Sequence, residues 1–579
     1  LTIRTIRLLA LFGILLTAVV STSLAHAAGQ VVVRVQGDYP ALQENATNFV
    51  GTVEDRSAAS LRRYESHAES QVREALRALG YYSPAIRSRI EDGEPPTLIF
   101  EVEPGQPVKI TERVVRIEGP ASEDPEFEIG ALSQIAPGEV VNHGTYESVR
   151  SRIRNQARTL GYFQGEFTER TLRVDPDAGT AEVRLVFTSG PRYAFGEVSF
   201  ESDGTFEHEL LEDFVEIQPG EPYSADRVAE LDSNLSNSGY FGSVIVDAAS
   251  EQAQDLRVPV NVRLRARDPR SVAAGVGFST DVGPRFRGTW TEYWINSRGH
   301  RRGAETELSA PRQNVTAYYE LPLDPPMTDA LRFAAGYQRE DIEDVESERL
   351  TFGQQWRHQT VNDWTRIVGL RWEGERYTIG EEEGDSQLLL PSLGYSKLAV
   401  DSPLDPSRGY RLQLDVTGAH RGLLSTADIF HVVGVARGLV TVGDGHRFLG
   451  RLQIGGVATN NFDDVPPSLR FFAGGDQSVR GYGYETLSPE DDDGNTIGGR
   501  YLVAGSVEYQ YPITDQWRLA AFYDRGNAIN SLTDPLATGV GLGVRWVSPV
   551  GPLRLDIANG LDEDLGGSWR IHFSMGPEL

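Results

Sequence analysis

The sequence predicts a transmembrane β-barrel of about 16 antiparallel strands, preceded by three small α+β domains. Three observations carry this. A Gly-aromatic element occurs three times in the first half, each copy closing an amphipathic helical pattern. The second half replaces helical spacing with strict alternation of apolar and polar residues. A basic, then apolar, then small-residue stretch of secretory type stands before both.

Composition narrows the function classes. The 579 residues carry a net charge of -28 and a pI near 4.8, which argues against nucleic acid as a partner, because phosphate backbones need a basic surface. Only 39% of residues are hydrophobic and the mean hydropathy is -0.34, too polar for a helical membrane bundle. A membrane barrel tolerates this, since every second residue faces its lumen. There is no cysteine, so no disulfide framework, thiol nucleophile or Cys-type zinc site is available.

Residues 1–27 read as a signal peptide. Arg4 and Arg7 form the basic start, Leu8 to Val20 the apolar core, and Ala25-His26-Ala27 the small-x-small cleavage site. The apolar core falls short of the ~20 residues a spanning helix needs.

The repeat comes next. Leu79-Gly80-Tyr81-Tyr82 recurs as Leu160-Gly161-Tyr162-Phe163 and as Ser238-Gly239-Tyr240-Phe241. Before Gly80, residues Leu61, Tyr64, Ala68, Val72, Leu76 and Leu79 repeat at three or four positions, which places one apolar stripe on a helix. Tyr146, Val149, Ile153, Ala157 and Leu160 do the same before Gly161. Val228, Leu231 and Leu235 do so before Gly239. Glycine just past a helix suits a left-handed cap. The aromatic pair is expected to begin a strand, and Leu98–Val102, Glu182–Phe187 and Val258–Leu264 are expected to close each unit. Pro137-Gly138-Glu139 and Pro219-Gly220-Glu221 mark a further shared turn. Each unit is then a short sheet with helices on one face, at 28–105, 106–189 and 190–267.

Residues 268–579 alternate. Tyr410, Leu412, Leu414 and Val416 interleave with Arg411, Gln413 and Asp415. Trp517, Leu519, Ala521 and Tyr523 interleave with Arg518, Ala520, Phe522 and Asp524. In lipid the apolar face must point outward and the barrel must close, because unpaired backbone is too costly there. At ~10 residues per strand, this length allows about 16 strands.

One long loop, about 459–500, holds Val479-Arg480-Gly481-Tyr482 among glycines and aromatics. It reads as a loop that turns into the lumen and pins an arginine to an acid on the wall. An ordinary surface loop with a solvated arginine fits the composition equally well. Strand parity places Phe522 and Asp524 on the lumenal face, where Asp524 can accept a bidentate pair from Arg480 and Phe522 can stack on the guanidinium. No catalytic motif is present: neither G-x-S-x-G, H-E-x-x-H nor a P-loop occurs. Gly539, Gly541 and Gly543 lie inside an alternating strand, so they read as room in the wall rather than a nucleotide fingerprint. The acidic runs Glu381–Glu383 and Glu490–Asp493 lack an EF-hand order and read as solvated loops, so no metal or cofactor is expected.

The motifs also carry a resemblance. Phe471 to Asp476 with Val479-Arg480-Gly481-Tyr482, then Phe522-x-Asp524-x-Gly526, then Arg545-x-x-Ser548-Pro549-x-Gly551-Pro552, resemble in order the barrel signatures of the outer-membrane assembly-factor superfamily. That superfamily includes BamA, TamA and the two-partner secretion transporters. Three repeats and the terminal Gly576-Pro577-Glu578-Leu579 are most similar to the TamA family. The resemblance implies three POTRA domains in the periplasm of a Gram-negative bacterium and a barrel in the outer membrane. It implies non-enzymatic insertion or secretion of β-barrel and autotransporter-type proteins. The implied partners are outer-membrane lipids, unfolded outer-membrane protein clients and a large, inner-membrane-anchored, periplasm-spanning TamB-like protein. Two-partner secretion and lipid transport between membranes are the alternatives. The implied mechanism uses a weak seam between the first strand, rich in small residues such as Ala273, Ala274, Gly275 and Gly277, and the last strand, Trp569 to Gly576. Gly275 and Gly277 share lumenal parity with Arg570, His572 and Ser574 across that seam.

Overall fold

The computed structural model describes residues 30–51, 58–93, 96–403, 405–548 and 551–576. The signal peptide, Pro549 and Val550 of the late-strand pattern, and the terminal Pro577–Leu579 lie outside the described residues. Two compact units are present. One runs through Glu197 and includes Ile217–Val228 and Ala248–Val260; the other holds Val198–Glu216, Ala229–Asp247 and everything from Asn261 on.

Three α+β repeats come first. The first is β1 (Gln30–Val35), α1 (Pro40–Val50), α2 (Ala58–Ala78), β2 (Ala85–Glu91) and β3 (Thr97–Glu103). The second is β4 (Lys109–Glu118), α3 (His143–Thr159), β5 (Glu166–Asp175) and β6 (Thr180–Thr188). The third is β7 (Ala194–Glu201), α4 (His208–Glu212), α5 (Ala225–Asn237), β8 (Phe241–Ala248) and β9 (Arg257–Ala266). Their sheets are ordered β1-β3-β2, β4-β6-β5 and β7-β9-β8. The leading strand pairs parallel with the last in the first two repeats. The helical spacing of the sequence did not reveal those leading strands.

The apolar stripes do what their spacing requires. Leu61, Ala68, Val72 and Leu76 of α2 are buried against Leu98, Phe100 and Val102 of β3. Tyr146, Val149, Ile153 and Ala157 of α3 pack on Val183 and Leu185 of β6. Asn142 caps α3 by accepting the Thr145 N–H at 3.1 Å. The capping glycines are left-handed, with φ of 91° at Gly80 and 81° at Gly161. Each closes a paired motif: Gly80 N–H donates to Arg77 O and Tyr81 N–H to Leu76 O. Gly161 and Tyr162 repeat it with Arg158 and Ala157. The aromatic pairs do not begin strands in the first two repeats, contrary to the sequence reading. They occupy the turn, and β2 and β5 start only at Ala85 and Glu166. The rings are used for burial instead; Tyr162 is buried and its hydroxyl donates to Asp124 at 2.8 Å.

The Pro-Gly-Glu turns have one shared use. Gly138 N–H donates to Ile110 O while Ile110 N–H donates to Glu139 O, and Gly220, Phe195 and Glu221 repeat the exchange. Each capping glycine also receives the chain that follows it: Val108 N–H donates to Gly80 O and Tyr193 N–H to Gly161 O. A side chain on Gly80 would meet the Val141 carbonyl oxygen at 2.4 Å.

The second half is one 16-stranded sheet in sequential order, each strand antiparallel to its neighbours. Its strands are β10 (Arg270–Ser279), β11 (Gly283–Glu292), β12 (Arg301–Leu308) and β13 (Arg312–Pro322). They continue as β14 (Asp329–Ile342), β15 (Val345–Gln359), β16 (Thr365–Ile379) and β17 (Glu382–Val400). Then come β18 (Arg408–Ala419), β19 (Ile429–Val442), β20 (His446–Thr459) and β21 (Tyr501–Pro512). Last are β22 (Trp517–Ile529), β23 (Ala537–Ser548), β24 (Gly551–Gly560) and β25 (Trp569–Met575). The alternation holds: Trp517, Leu519 and Tyr523 are exposed outward while Arg518, Phe522 and Asp524 are buried inward. An outward belt of apolar side chains, including Val507 and Leu542, is costly in water and favourable in lipid.

Gly80→Ala is expected to loosen the first two repeats. An L side chain in that left-handed conformation costs roughly 1–3 kcal/mol. All eight tryptophans lie between Trp290 and Trp569, so their fluorescence follows the barrel alone. The helical far-UV signal should melt earlier in the variant while the tryptophan transition stays in place.

Candidate functional site

The loop between β20 and β21, residues 460–500, is the sixth on the side opposite the start of β10. It turns into the lumen because it carries its own apolar core. Phe471, Ala473, Val479, Tyr482 and Leu487 pack with Leu388 and Leu390 of β17 and Leu502 and Ala504 of β21. Phe471 exchanges backbone hydrogen bonds with Gly499, and Ala473 with Leu487, which closes the loop on itself. Val479 and Tyr482 are fully buried on either side of Arg480 and Gly481. The Tyr482 hydroxyl lies 3.1 Å from both the Thr538 carbonyl and the Asp562 carboxylate.

Arg480 is 5% exposed and Asp524 is 0% exposed. The guanidinium Nε donates to Asp524 Oδ2 at 2.7 Å and Nη2 donates to Oδ1 at 2.9 Å, a planar fork on a carboxylate. The Arg480 backbone N–H donates to the same Oδ2 at 3.1 Å. Phe522 lies under the guanidinium, 3.3 Å from carbon to ring centroid. Two further acids, unseen in the sequence, complete the site: Nη1 donates to Glu508 at 2.8 Å and to Asp556 at 3.1 Å. Arg545, the arginine of the late-strand pattern, bridges the same two carboxylates, with Nη2 to Glu508 at 2.8 Å and Nη1 to Asp556 at 2.6 Å. Three carboxylates thus hold two guanidiniums. The signal that would have found Glu508 is its lumenal parity on β21, where a charge must find a partner once water is thinned out.

The glycine stripe of β23 is the socket. A side chain at Gly539 would fall 2.0 Å from the Arg480 carbonyl oxygen, at Gly541 2.4 Å from the Phe522 ring, and at Gly543 1.8 Å from Asp556 Oδ1. Gly526 packs against the neighbouring backbone, where a Cβ would sit 2.4 Å from Val503 O.

The seam residues are arranged differently from the sequence reading. β10 and β25 are the two edges of the sheet and do not pair as neighbours in it. Gly275 and Gly277 face the lumen beside Arg287 and Arg285 of β11, and no ladder opposes them to Arg570, His572 or Ser574. Small side chains on β10 offer little cross-strand packing. The edges meet just beyond β10, where Thr280 N–H donates to Phe573 O and Phe573 N–H to Thr280 Oγ1, both at 3.1 Å. Arg570 is exposed; Ser574 is buried opposite Arg554. His572 stands opposite Asp556 in the β24–β25 register and turns its side chain to the loop, where its Nε2 accepts the Gly481 N–H at 3.0 Å. The ring proton therefore sits on Nδ1, 3.8 Å from Asp281 Oδ1. Asp281 Oδ2 accepts the Asp476 N–H at 2.7 Å. Burial, then the charge of Asp281, push the Asp476 carboxyl up to about 7. Burial works against the charge of Asp281 too, but His572 and Asp476 hold it below the usual carboxylate range.

Arg480→Ala and Asp524→Ala should each destabilise the purified barrel by roughly 3–5 kcal/mol, less where the lumen is wet. The double variant should be little worse than either single one, because both remove one interaction. Fully additive losses in a denaturation cycle would show that the two do not interact. Asp476 sets a pH dependence. The stability its neutral form contributes is complete below 3.8, its ordinary value, and is lost as pH rises through about 7. Asp476→Asn keeps a neutral side chain beside Asp281, His572 and Arg554. Its melting temperature should match the parent in acid and exceed it above neutrality.

Comparison with known proteins follows the same geometry. The Omp85 superfamily domain matches residues 262–578. POTRA domain TamA domain 1 matches 32–104, and the POTRA "surface antigen variable number repeat" matches 193–267. The outer membrane protein assembly factor BamA of Nitratidesulfovibrio vulgaris is 25% identical over 443 residues, 72% of this chain and 55% of the relative. The BamA of Neisseria meningitidis serogroup B is 22% identical over 523 residues, 77% of this chain and 64% of the relative. The chain therefore spans little more than half the length of these relatives. In fold, it is similar to the crystal structure of Haemophilus ducreyi BamA lacking POTRA domains 1–3, at a TM-score of 0.66 and 16% identity, covering 81% of this chain and 99% of that one. With a matching domain over its whole barrel and a lumenal arginine held by the barrel wall, the chain belongs to the Omp85 superfamily, as an outer-membrane β-barrel with periplasmic POTRA domains.

Proposed function

We propose that this chain is an assembly or translocation factor of the TamA type, which helps insert or secrete β-barrel and autotransporter-type proteins. Its action is non-covalent and it is not an enzyme. A client strand adds to the free edge of β10 and withdraws its backbone polar groups from lipid as it pairs. The observation that carries this reading is the seam. β10 lies at an open edge, Val272 and Val276 are 77% and 80% exposed, and two hydrogen bonds near Thr280 join it to β25. Such an edge is a template for pairing.

The match of the first repeat to the TamA-type POTRA domain supports that branch over others. On this reading a large, periplasm-spanning TamB-like protein docks on the repeats, whose sheets each keep edge strands for augmentation. Three repeats argue against a dedicated two-partner secretion pore, which the resemblance associates with two. Lipid transport between membranes is the second reading, favoured by the same open edge because a parted seam also exposes lumen to bilayer.

Locking the seam separates these mechanisms. The chain lacks cysteine, so Thr280→Cys with Phe573→Cys introduces the only possible bridge. The oxidised barrel should stay heat-stable and lose client insertion into liposomes, and reductant should restore it. Full activity in the locked form would rule out strand addition at the seam. In cells lacking the protein, a shift in lipid distribution with an unchanged outer-membrane proteome would favour lipid transport instead.

A further inference from the structure

A row of arginines faces the lumen beside the Arg480 site. Arg411 of β18 stands directly opposite Arg437 of β19, and Arg437 directly opposite Arg451 of β20. Their parity is inward, since Tyr410, Leu414 and Leu452 on the other parity are exposed outward. Arg554 of β24 reaches the same space. Arg437, Arg451 and Arg554 line a cavity of about 50 Å³ with Asp476 and Gln477, and on its far side with Arg480 and the Glu508 and Asp556 carboxylates that Arg480 engages.

Like charges directly opposite on neighbouring strands destabilise a sheet, and arginine cannot shed its proton to escape. The neighbouring acids do not neutralise the row. Glu508, Asp524 and Asp556 are engaged by Arg480 and Arg545. Asp281 is held by the Asp476 backbone N–H at 2.7 Å, and burial pushes the Asp476 carboxyl itself up to about 7. Arg451 donates to a neutral group, the Ser478 carbonyl oxygen, at 2.6 Å. Arg437 and Arg554 each bury an Nε that meets no acceptor among the described residues. Six guanidiniums thus face the three committed carboxylates and Asp281, an excess of two positive charges while Asp476 keeps its proton.

We propose that Arg437, Arg451 and Arg554 form a phosphate-binding site, which grips one phosphate or phosphate ester from a lipid headgroup or from solution. Nε is one prong of the fork with which arginine binds oxyanions, and it is the prong left without a partner on two of these side chains. A phosphate offers four oxygens and up to two charges to several forks at once; a carboxylate offers two oxygens and one charge. The volume agrees. At roughly 15 Å³ per water, the cavity takes about three waters' worth of ligand, enough for one tetrahedral anion and too little for a peptide segment.

The test uses the full chain purified in detergent and titrated with inorganic phosphate against chloride at constant ionic strength. Phosphorus NMR should show saturable binding, and the melting temperature should rise with phosphate. Arg437→Gln and Arg554→Gln should each weaken binding at least about tenfold. Without phosphate, Arg437→Gln should melt at or above the parent because repulsion within the row is relieved, a result that a misfolded variant would not give. Short-chain phosphatidylglycerol that competes with phosphate identifies a lipid headgroup as ligand; lack of competition identifies free phosphate. No saturable phosphate effect beyond chloride, unchanged affinity in the Arg437→Gln/Arg554→Gln double variant, or binding of a glutamate-rich peptide but not phosphate would each overturn the assignment.

Discussion

The barrel is organised around one buried cation. A guanidinium drawn from water into a protein lumen loses several kcal/mol of hydration unless carboxylates and hydrogen bonds replace it. Arg480 recovers that through Asp524, Glu508 and Asp556, which come from three different strands. Those strands must then present acids inward at matched heights, and register does this: Ser506 stands opposite Asp524, and Asp524 opposite Gly539. The wall must also be thin where the loop enters, which is why β23 carries glycine at three consecutive inward positions. The apolar cluster of Val479 and Tyr482 holds the loop in place while the charges set its depth.

What the sequence revealed follows the reach of each signal. Helical stripes, capping glycines and strand alternation are local patterns, and all three were legible because burial acts on neighbouring residues in fixed periods. The pairing of Arg480 with Asp524 and Phe522 was legible because a motif and a parity agreed. Glu508, Asp556 and Arg545 were not assigned, since their partnership depends on strands meeting across 37 and 76 residues of chain. β1 and β4 were missed because a parallel edge strand is defined by a partner beyond its own helix. The seam register was not legible for the same reason: parity names a face, while register needs the partner strand. His572 shows the consequence, being inward as expected but hydrogen-bonded to the loop.

A single device recurs along the chain. Each repeat ends its helix on a left-handed glycine whose carbonyl, or that of its neighbour, accepts an N–H from the following segment. Gly80 and Gly161 do so toward Val108 and Tyr193. In the third repeat, Tyr240 O accepts from Arg267 N–H, its hydroxyl donates to Gly299 O at 2.8 Å, and Arg301 stacks on its ring at 4.2 Å. Gly299 lies in the turn between β11 and β12, so the last copy of the device fastens on the barrel itself. Short backbone bonds of this kind are stiffer than a flexible linker.

The position of the arginine decides what an opening seam must break. Its acids lie on β21, β22 and β24, and Arg545 on β23, so the whole charge network sits on one side of the seam. Parting β10 from β25 leaves it intact. Among the described residues, what crosses is slight: the two Thr280–Phe573 hydrogen bonds, the Phe278–Phe573 ring contact at 5.9 Å, the facing of His572 and Asp281, and the Asp476 N–H on Asp281. At roughly 0.5–1.5 kcal/mol for each neutral hydrogen bond and about 1.5–3 for the one to Asp281, these hold the edges by several kcal/mol. A barrel closed by a full ladder along the ten residues of β10 would be far harder to part. The strong network and the weak seam are therefore complementary. The first keeps the C-terminal wall and its inward loop as one rigid body, and the second lets that body separate from β10 without losing its own structure.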